Sequence, residues 1–134
     1  MSYELVPRFP DVSDYRRIRV VAGLEDRTPE AAKLGLRGTW FGVSVLHGKD
    51  TIGMGRIIGD GGCFFQIVDI AVLPEHQRKG LGKRIMQALT AHLKNNAPPS
   101  AYVSLIADGE AHRLYAQFGF ELTAPESVGM YQRF

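Results

Sequence analysis

The chain has 134 residues, 45% hydrophobic and 22% charged, which fits one folded domain over 1–134 and excludes a disordered polymer. A formal net charge of +2 is too small to imply a nucleic-acid partner; a single cysteine, Cys63, excludes an internal disulfide, and no Cys/His grouping has zinc spacing, so no metal is expected. With no signal-peptide pattern at the start and no run approaching ~18 apolar residues, the expectation is a cytoplasmic protein with no membrane partner.

Tyr3 to Val6 reads as a short strand. Asp11 and Ser13 are N-cap candidates for a first helix, in which Val12, Tyr15, Ile18, Val21 and Ala22 recur at helical spacing up to Gly23. Thr28-Pro29-Glu30 opens a second helix, with Thr as cap and Pro in the first turn, stopping near Gly35. Trp40 to Leu46 and Thr51 to Ile58 read as strands joined by a turn at His47-Gly48-Lys49-Asp50. After a turn at Gly59 to Gly62, Cys63 to Leu73 reads as a long, largely buried strand.

A third helix carries Leu81, Ile85, Ala88, Leu89 and Leu93 on one face and ends before Pro98-Pro99. Ala101 to Ile106 is a further strand, Glu110 to Gln117 a short helix, and Phe118-Gly119-Phe120 and Gly129 to Phe134 two closing extended segments. The order is therefore β-α-α-β-β-β-α-β-α-β-β. The early strands suit antiparallel hairpins and the later β-α-β crossover a parallel pair, which predicts an α/β (α+β) fold with a mixed, mostly antiparallel sheet flanked by helices.

The chemistry concentrates in Gln77-Arg78-Lys79-Gly80-Leu81-Gly82, between a strand and a helix. A helix start offers free N–H groups and partial positive charge, which favours acidic residues in the first turn. Here Arg78, Lys79, Lys83 and Arg84 crowd it, and no acidic residue lies between His76 and Ala91. An anion, above all a phosphate group, resolves that conflict. A Walker A loop fails because Arg84 stands where Ser or Thr must follow Lys83, and a dinucleotide fingerprint fails because Ile85 replaces its third glycine.

The run Val68 to Gly82, with Gln77, Gly80 and Gly82 in a Gln/Arg-x-x-Gly-x-Gly/Ala loop, resembles the acetyl-CoA-binding motif of the GNAT superfamily of N-acetyltransferases. Ala111 to Phe120 is similar to that family's Ala-x-x-Leu-Tyr-x-x-x-Gly-Phe segment, and the close match covers residues 63–121. The resemblance implies acetyl-CoA as co-substrate, its pyrophosphate held by Gln77, Arg78, Lys79, Gly80, Leu81, Gly82 and Lys83 through N–H groups and charge. It also implies that Ile70, Ala71 and Val72 carry the pantetheine arm along the strand edge, with an N–H near Val72 polarising the thioester carbonyl. Asp108 stands where members often carry Asn.

Attack of an amine on a thioester needs a neutral nitrogen, a stabilised oxyanion and a protected thiolate, and no covalent intermediate. Cys63 therefore reads as a small buried hydrophobe rather than a nucleophile. Tyr115 matches the family's catalytic tyrosine. Ordinary values near ~10 for tyrosine and ~8.5 for a thiol make full proton transfer uphill by about 2 kcal/mol, so Tyr115 reads as a hydrogen-bond donor to the thiolate. Asp69 is either a group that binds the ammonium and relays its proton or a paired structural carboxylate. His76, His47 and His92 read as exposed or packing residues.

Arg19, Glu25, Asp26, Arg27, Trp40, Phe41 and Met130-Tyr131 are expected to frame the acceptor. Arg27 or Arg56 is a candidate to read an acceptor carboxylate. The leading expectation is transfer to a primary amine of a small molecule. Protein or peptide acetylation, and a non-catalytic acyl-CoA-binding module, are the alternatives. Sheet edges that need covering make a homodimer compatible with the sequence.

Overall fold

In the computed structural model, which describes residues 2–134, β1 (Glu4–Val6), β2 (Thr39–His47), β3 (Asp50–Gly59), β4 (Phe64–Val72) and β5 (Tyr102–Ser104) form one sheet in that spatial order. The first four are mutually antiparallel, and the last pair is parallel because α3 (Leu81–Asn96) carries the chain back across the sheet. α1 (Val12–Val21) starts at Asp11, whose carboxylate accepts from the Asp14 N–H at 2.9 Å. α2 (Pro29–Leu36) starts at Thr28, whose hydroxyl accepts from the Ala31 N–H at 3.1 Å. Both caps satisfy donors that would otherwise lack partners.

Two consecutive residues of β3 show how the layers divide. A Cβ at Gly55 would meet Ile85 Cγ2 at 2.5 Å, so this face of the sheet receives α3 at a distance only glycine permits. Arg56, next along the strand, points to the opposite face, where it meets the Tyr15 ring of α1 at 5.8 Å. α3 buries Leu81, Ile85, Met86, Leu89 and Leu93 against the first face, which also carries Val43, Val45 and Ile57.

The structure corrects the expected elements in four places. β5 ends at Ser104 instead of Ile106, and α4 is confined to His112–Ala116. Neither closing strand forms among the described residues: every residue from Glu121 to Phe134 is exposed and none joins the sheet. The predicted segments have strand-like composition but no buried face and no partner strand, and Pro125 removes one donor. Cys63 is exposed rather than buried, because it closes a turn in which Asp60 Oδ1 accepts its N–H at 2.8 Å.

Candidate active site

β4 pairs with β5 for three residues only, the last being Gln66 with Ser104, and then the two strands part. The opposite edge of β4 shows why. Between the pairs Met54–Ala71 and Arg56–Val68, β3 advances two residues while β4 advances three, so β4 carries a bulge, and Asp69 sits in it at φ 60°. A bulge bends and twists the strand that contains it. The resulting cleft, about 430 Å³, is floored by Gln66 to Ile70 and walled by Leu105, Ile106, Asp108 and Tyr115.

The Asp69 carboxylate is not directed at that cleft. Oδ1 accepts from Arg19 at 2.6 Å, Oδ2 accepts from Arg56 at 2.7 Å, and the Tyr15 hydroxyl reaches both oxygens at 3.2 Å. The side chain is only 5% exposed although the residue as a whole is not buried, so main chain is what the cleft meets at position 69. Of the two readings open for Asp69, these contacts describe the paired carboxylate, at a residue that also lines the cleft. Arg56 is held in the same way: its Nη1 donates to the Gly35 carbonyl at 3.1 Å and to Thr39 Oγ1 at 3.0 Å, and the residue lies outside the cleft lining. Arg19 spends its Nε–H on the Glu25 carbonyl at 2.6 Å. Burial first, and the Asp69 charge second, push the Tyr15 phenol above its ordinary value.

At the other end of β4 a 3-10 turn, Pro74–His76, leads into the glycine loop. Arg78 at φ 61° and Gly80 at φ 78° both adopt left-handed backbone, and Gly80 caps α3 without a side-chain acceptor. The first helical bond there runs from the Arg84 N–H to the Gly80 carbonyl at 3.1 Å; among the described residues the N–H groups of Arg78 to Lys83 have no acceptor. Arg78, Lys79, Lys83 and Arg84 are exposed, and none has a carboxylate within salt-bridge distance among the described residues. This is a cradle of donors and positive charge, and it fits a diphosphate. Leu81 contributes only its N–H, because its side chain is in the core.

Gln77 behaves differently from expectation. Its side-chain amide donates to the Val72 carbonyl at 2.9 Å, tying the loop to the strand. Leu73 donates its N–H to Ile52 of β3 at 2.8 Å, so the main chain of Val72 faces the open edge of β4. The Val72 N–H remains available there, and strand alternation turns Ile70 the same way. Ala71 instead packs its side chain in the core and pairs with Met54 of β3.

Tyr115 on α4 lines the cleft together with Asp108. Its hydroxyl has no protein partner among the described residues. Burial, then the Asp108 charge, raise the phenol above the ordinary tyrosine value, so it stays protonated and can donate. Arg27 stands on the cleft wall, and among the described residues its side chain bonds only the Asp26 carbonyl, at 3.2 Å. Trp40 and Phe41 lie elsewhere: Trp40 packs on Phe65 and His92, and Phe41 stacks on His92 with centroids 3.7 Å apart. His76 and His47 form a packed pair beside Tyr3, whose hydroxyl meets His76 Nδ1 at 2.8 Å. Sequence reasoning missed Tyr15 as a partner of Asp69. The available signal was an acid between apolar strand neighbours, which demands donors from elsewhere in the fold.

Residues 25–134 match the family model described as an acetyltransferase (GNAT) domain. The chain is 44% identical to the Staphylococcus aureus protein SA2161, described as a probable acetyltransferase of unknown function, covering 99% of this chain and 100% of that one with a TM-score of 0.94. It is also 34% identical over 83 residues to the Arabidopsis thaliana chloroplastic GCN5-related N-acetyltransferase 2, an alignment spanning 62% of this chain and 31% of that longer protein. The ribosomal-protein-S18-alanine N-acetyltransferase of Escherichia coli shares the fold at 16% identity and a TM-score of 0.76, over 92% of this chain and 80% of that one.

Proposed function

The chain belongs to the GNAT acetyltransferase family, and on that premise we propose that it transfers the acetyl group of acetyl-CoA to a primary amine of a small molecule. It is an acyltransferase, and GNAT acetyltransferases use acetyl-CoA. The observation that carries the proposal is a cradle of unengaged N–H groups and unpaired cations opening along β4 onto a cleft that contains a protonated tyrosine.

The co-substrate supplies an activated acetyl carbon. The N–H groups of Arg78 to Lys83 and the cations of Arg78, Lys79 and Lys83 bind its diphosphate. The open edge at Ile70 and Val72 orients the pantetheine arm, and the Val72 N–H faces the carbonyl oxygen where negative charge grows. The amine nitrogen forms the new bond to carbon as the carbon–sulfur bond breaks. The electron pair goes to sulfur, which the Tyr115 hydroxyl stabilises by donating a hydrogen bond. Because the phenol is raised, complete transfer of its proton is uphill by more than the about 2 kcal/mol that ordinary values give, so the thiolate leaves largely hydrogen-bonded. The amine proton passes to solvent through the open cleft, and Asp69 serves by holding the bulge in shape. Arg27 supports an acceptor that carries a carboxylate near its amine.

A second reading, acetylation of a peptide amine, is favoured by the openness of the cleft at Ile106, which is 66% exposed. Calorimetry with CoA, followed by thiol release across amino acids, polyamines, amino sugars and peptides, tests both readings. The proposal expects CoA binding and turnover with a small amine. Turnover with peptides alone would replace it by the second reading, and absence of CoA binding would end both.

A further inference from the structure

The cleft wall that carries Leu24 and Arg27 belongs to the turn between α1 and α2, and Leu24 to Thr28 lie in no helix or strand. Irregular turns of this kind are usually the loosely held parts of a fold. Here one buried side chain grips the turn. Arg19, in the last turn of α1, is 8% exposed. Its carbonyl accepts the Leu24 N–H at 2.7 Å, and its Nε–H donates to the Glu25 carbonyl at 2.6 Å. The other arm of the same guanidinium, Nη1, donates to Asp69 Oδ1 at 2.6 Å, within the β4 bulge. A guanidinium is planar and its N–H directions are fixed, so the two bonds are not made independently. Where Asp69 stands dictates where the Glu25 carbonyl stands. The remaining side-chain ties of the turn, Arg16 to Asp26 at 2.8 Å and Arg133 to Glu25 at 2.9 Å, are solvent-exposed ion pairs that contribute little.

We infer that Arg19 is a positioning residue for the reaction: it hands the geometry of the bulge to the turn Leu24–Arg27, and so sets where Arg27 meets an acceptor carboxylate. Arg27 follows the clamped carbonyl by two residues, and among the described residues its side chain bonds only the carbonyl of its neighbour Asp26. Its place is therefore that of the turn. Arg56 completes the arrangement from the other end. It donates to Asp69 Oδ2 at 2.7 Å and, through Nη1, to the Gly35 carbonyl near the end of α2. One carboxylate in the strand that carries the co-substrate thus references both ends of the segment that faces the acceptor. Small errors in placing a binding group against a reacting centre are costly, which gives such a link its value. The kinetic consequence rests on the acetyl-transfer reading; the clamp itself does not.

Hydrogen exchange and kinetics of the full chain and of Arg19→Lys, Arg16→Ala and Arg27→Ala test the inference. Arg19→Lys keeps a cation for Asp69 but lacks the fork. The expected result is that Arg19→Lys accelerates amide exchange at Glu25 to Arg27 about tenfold while β3 and β4 exchange as in the parent. Arg16→Ala should accelerate it less than about threefold. With a carboxylate-bearing amine, Arg19→Lys should raise acceptor KM about fivefold with CoA affinity unchanged, and the double variant with Arg27→Ala should rise no further than Arg27→Ala alone. Arg16→Ala loosening the turn as much as Arg19→Lys overturns the inference, and additive KM effects of positions 19 and 27 overturn the positioning role. The parent protein supplies a readout that needs no variant to fold. Its Arg19 Nε–H should exchange slowly with solvent and that of exposed Arg27 fast; equal rates at the two would show that the clamp does not exist, whether or not any amine is turned over.

Discussion

Two clusters of cationic side chains lie along β4, and they differ in whether the protein itself answers their charge. Arg19 and Arg56 have side chains 9% exposed and deliver their strongest bonds to Asp69. Arg78, Lys79, Lys83 and Arg84 stand in solvent around a helix start that is itself positive, with no carboxylate partner among the described residues. The residue types are alike, but the consequences are opposite. A guanidinium whose donors are consumed inside the fold is structural, whatever cleft it borders. A cation held beside unengaged N–H groups is left with binding as its outlet.

The comparison breaks or sharpens under mutation. The largest effect is expected on stability: Asp69→Ala leaves two buried guanidiniums without their anion and should lower unfolding free energy by about 3–5 kcal/mol in urea denaturation. Equal stability of mutant and parent would show that the inner cluster is not a structural unit. Tyr115→Phe should reduce kcat by about 100-fold while CoA affinity and thermal unfolding stay put; unchanged turnover on a true acceptor removes the hydroxyl from the reaction. Replacing Arg78, Lys79 and Lys83 together by Ala should weaken CoA binding about 10- to 100-fold at low salt with stability unaltered. That gap should narrow towards 1 M salt, where the screening length falls to about 3 Å.

Smaller effects follow at the rim. Arg27→Ala should raise KM for a carboxylate-bearing amine by up to about fivefold and leave an uncharged amine unaffected. Asp108→Asn removes one of the two influences that raise the Tyr115 phenol, so its ultraviolet titration should move down in pH. The sign is fixed by linkage. A phenol raised in the folded state adds stability below the ordinary tyrosine range and loses it as pH climbs through the folded value, and the Asn variant should lose it earlier. No downward movement would separate Asp108 from Tyr115.

How legible these features were depended on the range of the interactions behind them. The glycine loop could be read because its chemistry is local: helix start, missing acids and crowded cations sit within a few residues. The buried stripe of α3 followed from spacing, although Met86, fully buried, falls outside the predicted list. Asp69 could not be resolved because its partners lie 13 and 50 residues away, on a strand and a helix whose facing directions only the assembled sheet fixes. The closing strands were expected because composition reports what a segment would do beside a partner, and the chain places none there. Cys63 was misread by one position: β4 begins at Phe64, which leaves the thiol in the turn.

On the proposed reading, the bulge in β4 presents the peptide group of position 69, not its side chain, to the reactants. Such a base cannot be retuned by exchanging one residue for another, since its shape is locked from beneath by an ion cluster that tolerates little change. Diversification of acceptor choice on this scaffold is thereby channelled to the perimeter, to positions such as Leu24, Arg27 and Ile106, where replacement leaves the chemistry underneath untouched.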